Sequence, residues 1–275
     1  MDQRKESKKK NLGLIAGNGK FPFLFAHEAR RQGYRVTAVA IKGDTSIFLK
    51  PFVDKISWAG AGELNKLFEF FKTENVRDVV MAGQVSQRNL FDESLPIDEE
   101  FRNLFEALEN RKADTIFSAI ANALERNGMQ LLDSTALLGS YLASKGTLTK
   151  RGPSEKELED IDFGAIIAKQ MGELDVGQTV VIKDKAIVAI EAMEGTDQAI
   201  LRGGRIAQQN AVVVKAGKPN QDLRFDVPVV GLRTIKNMIK VKASCLAIEA
   251  GKTIVIDEDY CLRLANKNNI CIVGI

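Results

Sequence analysis

NLGLIAGNGKFPFLFAHEARRQGYRVTAVAI, residues 11–41, decides the reading of the fold. Residues 12–16 (LGLIA) form a short continuous apolar run, as a buried strand does. Residues 21–32 repeat their apolar positions at helical spacing and close at Gly33, and residues 34–41 (YRVTAVAI) are a second apolar run. Strand, helix and strand in close succession predict a β-α-β unit with parallel strands. Further along, Leu64, Leu67, Phe68 and Phe71 fall at i, i+3, i+4 and i+7, which makes residues 63–72 one face of a helix, and RDVVMA at 77–82 follows as a strand. Two more helices, 100–110 and 114–127, precede MQLL at 129–132. The first half therefore reads as α/β: an open, mostly parallel sheet with helices on both faces.

Between residues 134 and 163 the pattern breaks at Gly139, Gly146 and Arg151-Gly152-Pro153, followed by the acidic SEKELEDID. This region is read as a linker, dividing a basic tail (1–10) and an N-terminal domain (11–137) from a C-terminal domain (138–275). The second half has mixed α+β grammar. TVVIK (179–183) and AIVAIEA (186–192) are joined by Asp184-Lys185 as a hairpin, AVVVK (211–215) follows, and a short helix is expected near 234–240. A second hairpin is expected around Gly251-Lys252, between CLAIEA and TIVID.

The 275 residues include 39 basic and 36 acidic ones, a formal charge of +3. The first ten, MDQRKESKKK, hold five basic and two acidic residues, so the remainder balances at 34 of each sign. A nucleic-acid binder needs a basic surface to displace counterions from phosphates, and a balanced body speaks against one. The tail has no apolar run that could serve as a secretory signal. Nothing later approaches the roughly 18 apolar residues of a membrane span, so the cytoplasm is the expected location. Cys245, Cys261 and Cys271 lack C-x-x-C spacing and are odd in number, which predicts buried thiols rather than a disulfide framework.

The single histidine, His27, removes much familiar chemistry. A Ser-His-Asp triad, a two-histidine zinc site and a histidine-rich dinuclear centre all depend on it or need more. Its place in a helical stretch reads as that of an ordinary surface residue. Catalysis is left to carboxylates, lysine, arginine, threonine and a hard metal ion.

Four segments could carry that chemistry. Gly17-Asn18-Gly19-Lys20-Phe21-Pro22 joins the first strand to the first helix, where glycines and free N–H groups admit a phosphate or sugar. Pro22 stands where the dinucleotide fingerprint wants its third glycine, so an ordinary turn is the competing reading. Gln84 and Arg88 lie in the polar loop after residues 77–82, where open sheets take ligands; a solvated loop is the alternative. Glu191, Glu194, Thr196 and Asp197 end an apolar strand. Glu191 alternates with apolar neighbours and needs a partner, while Thr196 or Asp197 either caps a helix or joins Glu191 around Mg²⁺. The densest signal is KAGKPNQDLRFDVP, 215–228. If extended, it sets Asp222, Arg224 and Asp226 on one face, with the aspartates about 13 Å apart and unable to share one ion. Otherwise the segment bends, or one aspartate serves a metal or water while the other orients Arg224. An edge strand with local ion pairs is the plain alternative.

GLIAGNGKFP (13–22), GQVSQR (83–88), DVGQTVVIK (175–183), AIEAMEGTD (189–197) and QDLRFDVPVVG (221–231) together resemble the UDP-2,3-diacylglucosamine pyrophosphatase family of lipid A biosynthesis, of the type unrelated to metallophosphoesterases. The resemblance runs from about residue 11 to the C-terminus. It implies Mg²⁺-dependent hydrolysis of UDP-2,3-diacylglucosamine to UMP and lipid X, a Rossmann-like domain, a separate C-terminal domain, and lipid held between them. It also implies an essential aspartate, Asp222 or Asp226, either of which could ligate the metal.

Cleaving a phosphoric anhydride needs neutralised charge and an aligned water, and it can proceed without histidine. Lys215, Lys218, Arg202 or Arg224 would neutralise, and Asp222, Asp226 or Glu194 would orient or deprotonate water. Gly17, Gly19, Gln84, Arg88, Glu191, Thr196, Asp197 and Gln221 complete the expected substrate-binding set. The further partners expected are the inner-membrane surface, transiently, and a second copy of the chain. A nucleotide-sugar oxidoreductase using the turn at 17–22, or a non-catalytic nucleotide-sugar binder, is the competing class. Lys8, Lys9 and Lys10 either form a solvated tail or attract anionic lipid, at about 1 kcal/mol each.

Overall fold

The computed structural model describes residues 10–85, 96–110, 112–219 and 221–275, and every count below is of these residues. Two compact units emerge: Met1–Leu138 together with Leu223–Phe225, and Gly139–Asp222 together with Asp226–Ile275.

In the first unit, β1 (Asn11–Ala16), α1 (Phe21–Arg31), β2 (Arg35–Ile41), β3 (Lys55–Ala59), α2 (Leu64–Thr73), β4 (Asp78–Ala82), α3 (Glu99–Glu106), α4 (Ala113–Arg126) and β5 (Gln130–Leu131) follow one another. The sheet runs β3-β2-β1-β4-β5, and every pair is parallel. α1 begins with Pro22 in its first turn, where proline lacks nothing the helix needs. It ends because Gly33 takes φ +88°, letting the Gly33 and Tyr34 N–H groups close on Arg30 and Ala29. The predicted face of α2 is buried: Leu64, Leu67, Phe68 and Phe71 enter a core with Ile15, Val39 and Val79. Each such side chain stabilises the fold by about 1.5–3 kcal/mol. β3 carries little sequence signal because it is an edge strand whose only large apolar residues are Ile56 and Trp58.

The second unit contains β6 (Gly146–Thr147), α5 (Glu155–Glu173), β7 (Thr179–Lys183), β8 (Ala186–Ile190), α6 (Thr196–Ala207), β9 (Val212–Lys215), β10 (Val229–Val230), α7 (Leu232–Lys240), β11 (Cys245–Ile248), β12 (Ile254–Val255), α8 (Glu258–Lys267) and β13 (Cys271–Gly274). Its mixed sheet runs β6-β13-β11-β9-β7-β8, with β9, β11 and β13 parallel and β6 and β7 antiparallel to their neighbours. Both faces are covered. Val181, Val213, Leu246 and Ile272 enter one core, and Val180, Val214, Ala247 and Val273 enter the other. That is why AVVVK is apolar without alternation. All three cysteines are buried thiols.

The first predicted hairpin is present: β7 and β8 pair antiparallel through Asp184 and Lys185, both at positive φ, as a tight primed turn requires. The second is not. β11 lies between β9 and β13, and β12 pairs with β10 in parallel, so the turn at Gly251 joins strands of different sheets. The acidic run read as linker is the start of α5, whose capping box joins Ser154 and Glu157. No helix among the described residues is long and apolar enough to cross a membrane.

Glu157 does more than cap. Both its oxygens bind the Arg151 guanidinium, at 2.7 and 2.8 Å. Burial pushes its carboxyl up, but the hydrogen bonds from Arg151 and the Ser154 backbone outweigh burial and bring it down to about 2 from an ordinary 4.5. A depressed acid stabilises the fold fully above its unfolded pKa and loses that contribution as pH falls through the folded one. Glu157→Gln is therefore expected to cost about 3 kcal/mol at neutral pH. In urea titrations of the two proteins, the difference should shrink steadily between pH 4.5 and 2.

Candidate active site

The candidate side chains of the second unit collect at the carboxyl ends of its parallel strands. Lys215 ends β9 and is only 6% exposed. Its ammonium donates to Thr196 Oγ1 at 2.9 Å and to Thr179 Oγ1 at 3.4 Å, and it lies 3.9 Å from Glu191 Oε2. Thr196 in turn donates to Glu191 Oε1 at 2.8 Å. Glu191 thus has the partner its burial demands. The helix-cap alternative for Thr196 and Asp197 fails: the cap position of α6 is Gly195, and no side chain caps the helix. Asp197 instead accepts from Asn237 at 2.7 Å and pairs with Arg233 at 2.6 Å.

Past β9 the chain turns over the sheet edge. The Gly217 N–H donates to Glu249 Oε2 at 2.8 Å, and a Cβ at Gly217 would displace the Gln221 side-chain amide. Gln221 Oε1 also accepts the Lys218 N–H at 3.1 Å. The Lys218 ammonium binds Asp175 and lies 3.7 Å from Asp226 Oδ2, which accepts from Gln178 Nε2 at 2.7 Å.

The extended reading of 222–226 is overturned. The Asp226 N–H donates to the Asp222 carbonyl at 3.0 Å across a turn at 223–225, so the two aspartates stand about one helical turn apart, roughly 6 Å along the chain. The residues between them belong to the first unit. There Leu223 and Arg224 carbonyls accept from Ser134 at 2.9 and 2.8 Å, Phe225 stacks on Phe117, and Arg224 lies 3.6 Å from Glu125.

Glu194 and Arg202 form their own pair at 2.6 Å, and Arg202 also donates to the Ile190 carbonyl. Arg202 beside it holds the Glu194 carboxyl below the usual range, which suits a fixed anion better than a proton acceptor. In the first unit, Gly17 and Gln84 belong to loops that clasp each other. Asn18 N–H donates to Gln84 O at 2.6 Å, Gln84 N–H returns to Asn18 O, and a Cβ on Gly17 would meet that Gln84 carbonyl at 2.5 Å. Gly17 is thereby explained without a ligand, whereas Gly19, at φ +92°, faces open space. Arg88 lies outside the described residues.

Family models describe the whole arrangement in two parts: the LpxI N-terminal domain matches residues 11–141 and the LpxI C-terminal domain matches residues 144–273. The chain belongs to the LpxI family. A relative named UDP-2,3-diacylglucosamine pyrophosphatase LpxI, from Caulobacter vibrioides, is 27% identical over 97% of this chain and 98% of its own length. Among solved structures, an ADP complex of N5-carboxyaminoimidazole ribonucleotide synthetase overlaps 63% of this chain and 32% of that one, at 14% identity and a TM-score of 0.28. The biotin carboxylase domain of Hydrogenobacter thermophilus 2-oxoglutarate carboxylase overlaps 72% and 40%, at 12% identity and 0.26. Neither likeness is strong enough to bear on the fold.

Sequence reasoning missed Asp175, Gln178, Thr179 and Glu249 as site residues. The first three precede an apolar run, at the start of a strand antiparallel to β9 and hence at the same edge. Glu249 had a signal too: AIEA occurs at 189–192 and again at 247–250, placing Glu191 and Glu249 one residue beyond β8 and β11. Four buried side-chain atoms of the described residues lack a hydrogen-bond partner, and two of them, Glu191 Oε2 and Gln221 Nε2, sit in this cluster. Such concentration marks a site rather than a core. No three metal-ligating side chains converge among the described residues. Mg²⁺ asks for less, one or two carboxylates with water and substrate phosphate completing the shell. Asp222 and Asp226 are the oxygen donors that would meet that need.

The buried ion pair can be tested by itself. Lys215→Met and Glu191→Gln alone each leave a buried polar group without its partner and should cost about 3–5 kcal/mol. Together they should cost clearly less than the sum. A urea double-mutant cycle that gives additive losses would show that the two charges do not depend on each other.

Proposed function

We propose that this chain hydrolyses the pyrophosphate of UDP-2,3-diacylglucosamine to UMP and 2,3-diacylglucosamine 1-phosphate (lipid X), from the cytoplasmic side, in lipid A biosynthesis. One observation carries the reading: in a chain matched by LpxI models over both halves, the segment 215–226 brings Lys215, Lys218, Asp222 and Asp226 to one sheet edge. That is the donor set anhydride cleavage needs, two cations for phosphate oxygens and carboxylates for water.

The reaction adds one water across the anhydride: its oxygen bonds to one phosphorus, the bridging oxygen leaves with the other phosphate, and the released proton needs an acceptor. Phosphoryl transfer passes through a loose transition state, so positioning and charge neutralisation dominate over base strength. Lys218 would face the phosphate oxygens. Lys215, held by Thr179, Thr196 and Glu191, would stand fixed behind them. Asp226, with one oxygen already fixed by Gln178, would present its carboxylate to the attacking water in one orientation. Mg²⁺, bound through Asp222 or Asp226 and the substrate, would supply the remaining neutralisation. The residues gathered here come from one copy of the chain, so the reading does not need a dimer.

Asp222→Asn and Asp226→Asn, assayed separately for UMP release from detergent-dispersed substrate with Mg²⁺, decide the matter. At least one should lose 10²–10⁴-fold while keeping its circular dichroism spectrum. If neither loses more than a few-fold, the catalytic assignment is wrong.

A further inference from the structure

The two most exposed large apolar side chains among the described residues are neighbours: Phe48 at 73% and Ile47 at 71%. They sit on a 3-10 turn, Ile47–Phe52 (IFLKPF), in the connection from β2 to β3. This turn is firmly anchored. Leu49 is wholly buried, Ser46 caps the start by accepting the Phe48 N–H, and the buried Thr45 hydroxyl donates to the Ala16 carbonyl while accepting from Ile41 N–H at 2.9 Å. At the far end, the Phe52 ring meets Phe23 of α1 edge-on at 5.3 Å, and the Pro51 carbonyl accepts from Arg30 at 3.2 Å. A rigid support thus holds an isoleucine and a phenylalanine out in water, where their exposure is unfavourable unless something covers them.

The charges around the tip say what does. Lys50 is the one charged residue on the turn, is exposed, and has no partner among the described residues. Arg30 is exposed beside Pro51, with His27 one turn away on the same face of α1 as Phe23. Of the acidic residues flanking the turn, Asp54 accepts the Val36 N–H at 2.8 Å and Glu28 binds Arg31, while Asp44, three residues before Ile47, is half-buried. An apolar tip rimmed by cations fits a bilayer with anionic head groups, aromatic and aliphatic side chains entering the acyl boundary while Lys and Arg stay at phosphate level. A second copy packed on the same patch across a two-fold axis would bring Lys50 and Arg30 against their own kind.

We propose that the Ile47–Phe52 turn is a wedge that docks the first unit on an anionic lipid surface. The inference stands on this turn alone and does not need the pyrophosphatase reading, although a diacylated substrate gives it a use.

The test is co-sedimentation of the full chain with phosphatidylcholine vesicles, with and without phosphatidylglycerol, for the parent, Ile47→Ser/Phe48→Ser and Lys50→Gln. The parent should bind the anionic vesicles. The double variant should bind roughly ten-fold more weakly or less, with an unchanged thermal transition, and Lys50→Gln roughly five-fold more weakly on anionic vesicles only. Phe48→Trp, made together with Trp58→Phe, should shift its emission to the blue on anionic vesicles. Equal binding by the double variant, or no shift at position 48, overturns the proposal. So does a dimer in sedimentation velocity that the double substitution dissociates, since the patch then belongs to a second copy. UMP release from detergent-dispersed substrate should be the same for parent and double variant, so failure of the hydrolase reading and failure of the wedge register in different assays.

Discussion

A buried ammonium organises the second unit. Lys215 sits at the end of β9, with β11 on one side and β7 on the other, where a lone charge would cost several kcal/mol. Its tolerance depends on Glu191 from the end of β8, Thr179 from the start of β7 and Thr196 from the first turn of α6. One charge therefore fixes the relative positions of four elements. Hydrogen bonding passes outward from it: the Ala216 N–H reaches the Gln178 carbonyl, Gly217 reaches Glu249, and Lys218 is delivered beside Asp175 and Asp226. Loops at strand ends are normally the variable part of a fold. Here the loop after β9 is constrained almost residue by residue, as a site must be if its groups are to be held near their working geometry.

The opposite edge of the same sheet makes the contrast clear. A cavity of about 660 Å³ opens there, lined by Arg151, Lys156, Glu157, Asp160, Lys183 and Lys242 among others. Size alone would make it attractive. Its buried acidic groups, however, are engaged within the protein: Arg151 grips Glu157 with both terminal nitrogens, and the Asp160 carboxylate accepts the N–H groups of Asp184 and Lys185 that close the β7–β8 hairpin. Those pairs hold α5 to the sheet and need no ligand to balance them. The carboxyl edge keeps a carboxylate oxygen and an amide nitrogen unmatched inside the protein, where the cavity edge keeps one hydroxyl, Ser244 Oγ. The number of unmatched groups, more than volume, favours the carboxyl edge as the candidate site.

What the sequence made legible follows the same physics. LGLIA and AVVVK read as strands because both faces of each sheet are covered, which leaves no room for polar alternation. The turn at Gly251 was legible as well, through its glycine, but its strand pairing was not. β12 pairs with β10, far back in the chain, and local turn chemistry carries no information about so distant a partner. KISWA carries little strand signal because an edge strand needs only two large side chains, and the acidic start of α5 has the composition of a linker although its capping box is written in Ser154 and Glu157. At the site, the burial of Glu191 could be read from its apolar neighbours. The bend at 222–226 could not, since D-L-R-F-D alternates equally well in a strand and in a turn whose middle residues pack on Ser134 and Phe117.

The absence of a second histidine then looks less like a deficit than a clue to how little proton chemistry the proposed reaction asks for. A carboxylate is a weak base at neutral pH, and an enzyme that had to strip a proton from water before attack would gain from something stronger. Anhydride cleavage departs from that requirement, because the leaving phosphate takes its electrons readily and the attacking water loses its proton late. Orientation is then worth more than basicity. An aspartate with Gln178 hydrogen-bonded to one oxygen and Lys218 alongside is built for orientation, since both partners restrict how it can turn. On the proposed reading the buried Lys215 would serve the same end, since a group fixed by Glu191, Thr179 and Thr196 needs no rearrangement when charge develops on the phosphates.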